Sequence, residues 1–354
     1  MSQSVRFLLT LALGFCGGWL FDRAGLPLPW MLGSLSAVTL SALLRVPVFA
    51  PPKIRPPMTA IIGVLLGAGF HPGLIDQVAG WLPSFLGLIV SSVVAGCACS
   101  IYLSRVAGLD RVTAYFAGMP GGLIEMVEIG RERGGAETTI ALMHASRIFL
   151  IVMTVPFLVQ IVEGVSIAGS PPIGPSVAEA PLSTFWELIA CAVAGSLLGS
   201  ILRLPARHLL GPMLVSAALH LSGATTFVPP TEIVQGAQLV LGAVLGSRFT
   251  AATPREVRRI LCIAAGMSVV LISTTVGAAF VVAAVTGFGP STLVLAYSPG
   301  GLTEMGLMAI AIQADIAFVA AHHLFRVVFV MICADPAFQL LERLRPERVR
   351  KPAA

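Results

Sequence analysis

Ten apolar runs, separated by short polar or Pro/Gly-rich breaks, make up most of the chain. They fall near 5–22, 28–46, 57–75, 80–104 and 136–162, then near 183–202, 209–222, 232–249, 258–286 and 316–340. Apolar runs of this length with almost no internal charge predict helices that sit in a bilayer. Between the fourth and fifth run of each set, one segment breaks the pattern in the same way. Met119-Pro120-Gly121-Gly122-Leu123-Ile124-Glu125-Met126 recurs as Ser298-Pro299-Gly300-Gly301-Leu302-Thr303-Glu304-Met305, with Pro120 and Pro299 standing 179 positions apart. Proline has no N–H, and glycine lets backbone approach another group closely. Each box therefore predicts a broken helix or the tip of a re-entrant hairpin. In a bilayer such backbone is tolerated only where protein or a water-filled cavity covers it.

The repetition extends well beyond the boxes. Leu26-Pro27 and Gly33 match Leu204-Pro205 and Gly211, and Phe49-Ala50-Pro51-Pro52 matches Phe227-Val228-Pro229-Pro230. Gly63 and Gly67 match Gly242 and Gly246, Phe70 matches Phe249, and His144-Ala145-Ser146-Arg147 matches His323-Leu324-Phe325-Arg326. The offset stays at 178 or 179 throughout, so the chain is an internal duplication. Gly169-Ser170-Pro171-Pro172-Ile173-Gly174-Pro175 reads as the joint by composition. The expected organisation is a first membrane repeat over 1–163, an extracytoplasmic linker over 164–181, and a second repeat over 182–354 ending in a basic cytoplasmic tail.

Composition agrees. The chain is 56% hydrophobic and 11% charged, with mean hydropathy +0.91; a soluble domain carries about 25% charged residues. The net charge of +5 is no nucleic-acid signature, because the basic residues cluster at loop ends and in the tail (Arg343, Arg345, Arg348, Arg350, Lys351). That is the pattern of cytoplasmic loops facing anionic lipid. The six cysteines lie within apolar runs without C-x-x-C pairing, which points to small hydrophobes and neither a disulfide framework nor a metal site. The N-terminal run, preceded only by Arg6, reads as a retained span.

Charge also sets the expected topology. If each box returns to its own side, every half has an odd number of full crossings, and the second half is inverted. With the N-terminus inside, Arg45, Lys53, Arg55, Arg105, Arg111, Arg131 and Arg133 are cytoplasmic. In the second half Arg203, Arg207, Arg248, Arg255, Arg258, Arg259 and the tail join them. The outer segments 71–80, 163–183, 222–232, 287–292 and 313–315 contain no Lys or Arg; Arg23 is the exception. The positive-inside rule thus favours inverted repeats with both termini cytoplasmic. The fold class expected is an all-α polytopic membrane protein of two inverted repeats. Each repeat would have about five transmembrane helices plus a Pro-Gly-Gly re-entrant hairpin or broken helix.

The candidate site follows from the same positions. Pro120, Gly121 and Gly122, with Pro299, Gly300 and Gly301, would present open backbone to a solute. A helix restarting at Leu123 or Leu302 would aim its N-terminal dipole there, which favours anions. Glu125 and Glu304 stand about one turn into the new helix. They either couple a proton or cation, or stabilise the helix start, or form an ion pair. Glu128 has no acidic counterpart at Leu307. Arg147 and Arg326 either neutralise those carboxylates or hold an anionic substrate. His144 and His323, three residues earlier, are candidates for proton relay or for a hydrogen-bonded structural role. His322 has no counterpart, and its angular offset from His323 on a helix makes a metal pair a poor reading. Gly14/Gly18, Gly63/Gly67, Gly195/Gly199 and Gly242/Gly246 have the spacing of close helix packing, within the protein or in a homodimer. No catalytic residue, cofactor or metal site is expected.

The two PGGLxEM boxes followed by HxxR, and the duplication itself, resemble the AbrB-type membrane protein family, whose repeat is known as the AbrB duplication. The resemblance covers nearly the whole chain. Family members are often labelled ammonia monooxygenase or regulators of gene expression. The name is shared with an unrelated small DNA-binding regulator, and this sequence has no nucleic-acid module. It also lacks a copper or iron cluster that an oxygenase would need. The layout is similar to that of elevator-type carboxylate transporters. The reading is a non-enzymatic secondary transporter or exporter of a small anionic solute in a bacterial plasma or inner membrane. The alternative is a membrane-embedded ligand-binding regulator.

Overall fold

The structure, a computed structural model, describes residues 1–163, 174–248 and 254–344. Ser170, Phe249 and the tail residues Arg345, Arg348, Arg350 and Lys351 lie outside the described residues. Among the described residues all regular structure is helical. The first half runs α1 (Gln3–Arg23), α2 (Pro29–Leu43), α3 (Arg55–Gly67), a single turn α4 (Ile75–Val78), α5 (Leu82–Arg105), α6 (Arg111–Gly118), α7 (Leu123–Glu132) and α8 (Glu137–Glu163). The second half runs α9 (Leu182–Ile201), α10 (Arg207–Leu221), α11 (Thr231–Gly246), α12 (Pro254–Thr286), α13 (Pro290–Tyr297), α14 (Leu302–Ala311) and α15 (Ile316–Arg343). Apart from α4, each half repeats the same seven helices in the same order.

Among the described residues six helices are long and apolar enough to cross a membrane: α1, α5 with its leading turn, α8, α9, α12 and α15. These are the first, fourth and last of each half. The second and third helices of each half are short, and α2, α3 and α11 are shorter than their apolar runs suggested. They have 13 to 16 residues, or about 20–24 Å of helix against about 30 Å of hydrocarbon. The run at 57–75 stops early because Gly67-Ala68-Gly69-Phe70-His71-Pro72-Gly73 cannot sustain a helix. The outward faces of the long helices are apolar, as with Leu8, Phe15 and Trp19 of α1 and Trp186, Ile189 and Val193 of α9. Apolar faces of this extent require lipid or another protein over them.

Helices associate by their position within a half rather than by the half they belong to. α2 packs on α11 and α3 on α10, so each half's second helix meets the other half's third; α1 and α9 close the outside of this group. A second group gathers α5 to α8 with α12 to α15, joined through α5–α12, α8–α12 and α5–α15. α14 and α15 reach α3 between the groups.

Glycine sets the first group's geometry. A Cβ on Gly33 would run into the carbonyl of Gly17, and one on Gly211 into the carbonyl of Gly195, where α1 crosses α2 and α9 crosses α10. Gly63 faces the Leu209 carbonyl and Gly242 the Met31 carbonyl at the two exchanged contacts. All four small-xxx-small pairs therefore serve close packing between helices of this chain.

Candidate functional site

Each Pro-Gly-Gly box separates two short helices. α6 ends at Gly118 and α7 begins at Leu123; α13 ends at Tyr297 and α14 begins at Leu302. The breaks are sharp for a simple reason. Proline at 120 or 299 removes a backbone donor that continuation would need, and the residue before it is pushed to extended backbone. Met119 sits at φ −66°, ψ 134° and Ser298 at φ −56°, ψ 127°. The glycines at the new N-caps are extended too, Gly122 at φ −66°, ψ 140° and Gly301 at φ −76°, ψ 145°. Any residue can adopt these angles, so glycine is required here for space.

What fills that space is specific. A Cβ on Gly121 would approach Val330 of α15, and one on Gly300 would approach Ile151 of α8. Val330 and Ile151 are themselves 179 positions apart. Each tip thus rests on the last helix of the other half. A Cβ on Gly122 would overlap the carboxylate of Glu125, and one on Gly301 the carboxylate of Glu304. Both glutamates fold back over the N-cap of their own helix, the position an N3 acidic residue takes in a capping box. Of the readings open for Glu125 and Glu304, stabilising the helix start is the one this geometry displays.

The arginines hold the other side of each break. Arg147 Nη1 donates to the Met119 carbonyl at 2.7 Å and Nη2 to the Gly121 carbonyl at 3.2 Å. Arg326 Nη1 donates to the Ser298 and Tyr297 carbonyls at 2.6 and 3.0 Å, and Nη2 lies 3.5 Å from the Gly300 carbonyl. These are carbonyls that a broken helix leaves without an intrahelical donor. Each arginine is 3% exposed. Neither forms an ion pair with a carboxylate among the described residues, where Arg133–Asp335 is the ion pair found. The Nε of each guanidinium is buried without a hydrogen-bond partner. Of the two readings open for Arg147 and Arg326, neutralisation of Glu125 or Glu304 is not what these side chains display. The fork of each arginine is turned to backbone, because carbonyls at a helix C-terminus are the nearest negative charge.

His144 and His323 complete the repeated set. His144 Nε2 donates to the Phe116 carbonyl and His323 Nε2 to the Leu295 carbonyl, each at 2.9 Å. A carbonyl only accepts, so both rings carry the proton on Nε2. His323 Nδ1 then accepts from Arg326 Nη2 at 3.1 Å, which engages both of its nitrogens. His144 Nδ1 is buried without a partner. These bonds fasten the last helix of each half to the helix preceding its box.

The two sites are not equal. Behind the second tip lies a buried network with no equivalent behind the first. Tyr297 donates to the Ser84 carbonyl at 2.6 Å, Ser84 Oγ is 2.8 Å from His322 Nε2, and His322 Nδ1 donates to the Phe318 carbonyl at 2.7 Å. Phe85 stacks on the His322 ring. The positions matching Tyr297, His322 and Ser84 are Gly118, Met143 and Ile263, none of which can take part. Glu304 also lies within electrostatic reach of Arg55 and Arg248. Gly69 occupies the place matching Arg248, and Ile233 that matching Arg55. Sequence reasoning assigned both arginines to cytoplasmic loops and passed over Ser84 and Tyr297. The failure of these positions to repeat was the signal available for all of them.

The family model for Transition state regulatory protein AbrB matches residues 30–342. The protein of Bacillus subtilis (strain 168) named "Uncharacterized protein YhjN" is 28% identical over 362 residues, covering 96% of this chain and 94% of that one. The Escherichia coli (strain K12) protein named "Putative regulator AbrB" is 21% identical over 347 residues, covering 96% of each chain. The matched span includes both boxes and both HxxR segments, and it runs from the first turn of α2 to the last turn of α15. This chain, a helical protein with six helices fit to cross a membrane among its described residues, belongs to the AbrB family.

Proposed function

We propose that this protein is a secondary transporter or exporter of a small anionic solute. The observation that carries this reading is the pair of buried guanidiniums, Arg147 and Arg326. They sit at two broken-helix tips with no carboxylate paired to either among the described residues. A charge in a membrane interior is expensive unless matched, and the backbone carbonyls supply only partial charge. Two helix N-termini, at Leu123 and Leu302, add positive potential at the same tips. The boxes are re-entrant hairpins that meet near the midplane from opposite sides, the halves are inverted repeats, and both termini are cytoplasmic in the bacterial inner membrane. The opposed loop charges support that arrangement, and so does the exchanged packing of α2 on α11 and α3 on α10. The two packing groups, each drawn from both halves, supply a scaffold and a moving body of the kind alternating access needs.

Purified protein in proteoliposomes is expected to take up at least one labelled anion from a panel of mono- and dicarboxylates, sulfate and phosphate. Uptake should exceed that of Arg326→Gln and of protein-free vesicles. The name of the E. coli relative keeps a second reading, a membrane-embedded ligand-binding regulator. Absence of uptake across the panel, with an anion that still raises the thermal midpoint of the purified protein, would favour the regulator.

Topology has its own test. Single cysteines at Ser170 and Ala354, in a background without the native cysteines, should label oppositely with an impermeant reagent in whole cells: the linker reacts and the tail is protected. Labelling of both from outside removes the inverted arrangement.

A further inference from the structure

The two buried guanidiniums stand at one place, joined by contacts between the halves. Arg147 holds the carbonyl of Gly121, and a Cβ on Gly121 would meet Val330. Val330 is four residues past Arg326 on α15. In turn Arg326 Nη2 lies beside the carbonyl of Gly300, and a Cβ on Gly300 would meet Ile151. Ile151 is four residues past Arg147 on α8. Four residues are about one turn of helix, roughly 6 Å along the axis. Each arginine therefore stands about one turn from the point where the other half's tip rests on its helix. The contacts run in a ring, from Arg147 through Gly121 and Val330 to Arg326, then through Gly300 and Ile151 back to Arg147. The two guanidiniums are also within electrostatic reach of one another.

Counter-charge is scarce around this ring. The long helices of the second packing group are α5, α8, α12 and α15, and over 82–104, 138–162, 260–286 and 316–334 they contain no Asp or Glu. That leaves the box glutamates, whose carboxylates fold back over the N-caps of α7 and α14. Neither pairs with Arg147 or Arg326 among the described residues. Two like charges in a dry interior repel each other and each carries its own desolvation cost. The donors left over have a form that this chain uses elsewhere for a carboxylate. Arg133 grips Asp335 through the edge made by Nε and Nη2, at 2.8 and 2.7 Å. On Arg147 and Arg326 the Nε of that same edge is buried and without a hydrogen-bond partner.

We propose that Arg147 and Arg326 form a single site, and that it takes one divalent anion bridging the two tips. The inference rests on the anionic-solute reading above and narrows it to a dianion bound once per chain. One dianion matches both positive charges and cancels their repulsion. One monoanion would leave an arginine unmatched. Two monoanions would bring a repulsion of their own into the same space. An unpartnered Nε on each of two separate side chains asks for acceptors at both ends of the solute. Both Nε atoms are buried here, so the tips must part to admit the solute and close to hold it. A small dicarboxylate and an inorganic oxyanion such as sulfate share this charge, and the test below separates them.

Calorimetric titration of the purified full-length protein tests this at about pH 7.5, where carboxyl groups are ionised. The probes are sodium succinate, malonate and sulfate against sodium acetate and monomethyl succinate, all at equal ionic strength in chloride. Monomethyl succinate keeps the length of succinate and loses one charge. The expected result is one dianion bound per chain, about tenfold to a hundredfold more tightly than either monoanion, the factor for one further charge-assisted hydrogen bond. Any order among the dianions supports the site: succinate or malonate ahead of sulfate identifies a dicarboxylate, and the reverse an inorganic oxyanion. Gly300→Ala acts at the second tip, where its Cβ would crowd Ile151 and Met305. Arg147→Lys acts at the first, keeping the charge and losing the fork. With one shared site each variant should weaken the whole binding signal. If half of the signal keeps wild-type affinity in either, the sites are separate and the inference is overturned. Two anions per chain, or equal affinity for succinate and monomethyl succinate, also overturns it and leaves the anionic-solute reading standing. No binding of any probe overturns that reading, and the inference with it. The count and the charge comparison are made on the wild type, so neither depends on a variant that folds.

Discussion

Arg326→Gln is expected to destabilise the protein by about 3–5 kcal/mol, the range for removing one member of a buried charged network. The side chain makes close bonds to the Tyr297 and Ser298 carbonyls and to His323. Hydrogen bonds from a charged donor contribute about 1.5–3 kcal/mol each, and the carbonyls left behind are buried. At about 2 °C per kcal/mol for a large domain, the thermal midpoint should fall by roughly 6–10 °C. Arg147→Gln, which gives up two carbonyl bonds, should lose somewhat less. Lysine should not restore either site, because a single ammonium cannot span two carbonyls as a planar fork does. The companion changes Glu304→Gln and Glu125→Gln decide what the arginines are for. Neither arginine forms an ion pair with these carboxylates among the described residues, so the double variants should be additive within about 0.5 kcal/mol. Substantial rescue of Arg326→Gln by Glu304→Gln would show that the pair is electrostatically joined and that the carbonyl bonds are secondary.

The second large effect belongs to the helix crossings. Gly211→Val should prevent recovery of a monodisperse protein, and Gly211→Ala should cost at least about 1–3 kcal/mol, the usual range for overpacking. The Cβ would have to enter the Gly195 carbonyl, which is backbone and cannot rotate away. Gly33→Ala should behave alike at the equivalent crossing, against the Gly17 carbonyl. Gly277 of α12 provides the contrast. Nothing lies within 4 Å of a Cβ placed there, so Gly277→Ala should be neutral or stabilise by about 0.5–1 kcal/mol. Size-exclusion profiles and melts in one detergent are sufficient. Equal behaviour of the variants at 211 and 277 would mean that the crossing is looser than described.

The repeated features were legible in the sequence because a duplication doubles every signal. The breaks at Pro120 and Pro299, the helix restarts at Leu123 and Leu302, and the placement of Glu125 and Glu304 in a first turn all stand where local rules put them. So did the ends of the long helices, within a few residues. What escaped was tertiary. Hydropathy could not reveal that α3 stops at Gly67, since Phe70 and Leu74 continue the apolar run. Nor could charge pairing reveal the target of Arg147 and Arg326, since backbone carbonyls carry no sequence signature. The histidines were legible as a position and not as a bond, because Phe116 and Leu295 offer only their main chain. The glycines of each box read from the sequence as letting backbone approach another group closely, without saying which group. The use of the second glycine is to leave room for one particular carboxylate.

The exchange of α2 and α3 with α11 and α10 bears on how the chain is made. When synthesis reaches the linker, α2 has α1 but not α11, and α3 lacks α10, so the faces that meet the second half must wait in the lipid until α10 and α11 arrive. Assembly of that group is therefore a late, long-range event, closed only when more than half of the chain has been inserted. Cutting the chain at the linker would not yield two independent modules. Each fragment would hold half of both packing groups and would need the other present in the same membrane to become one molecule.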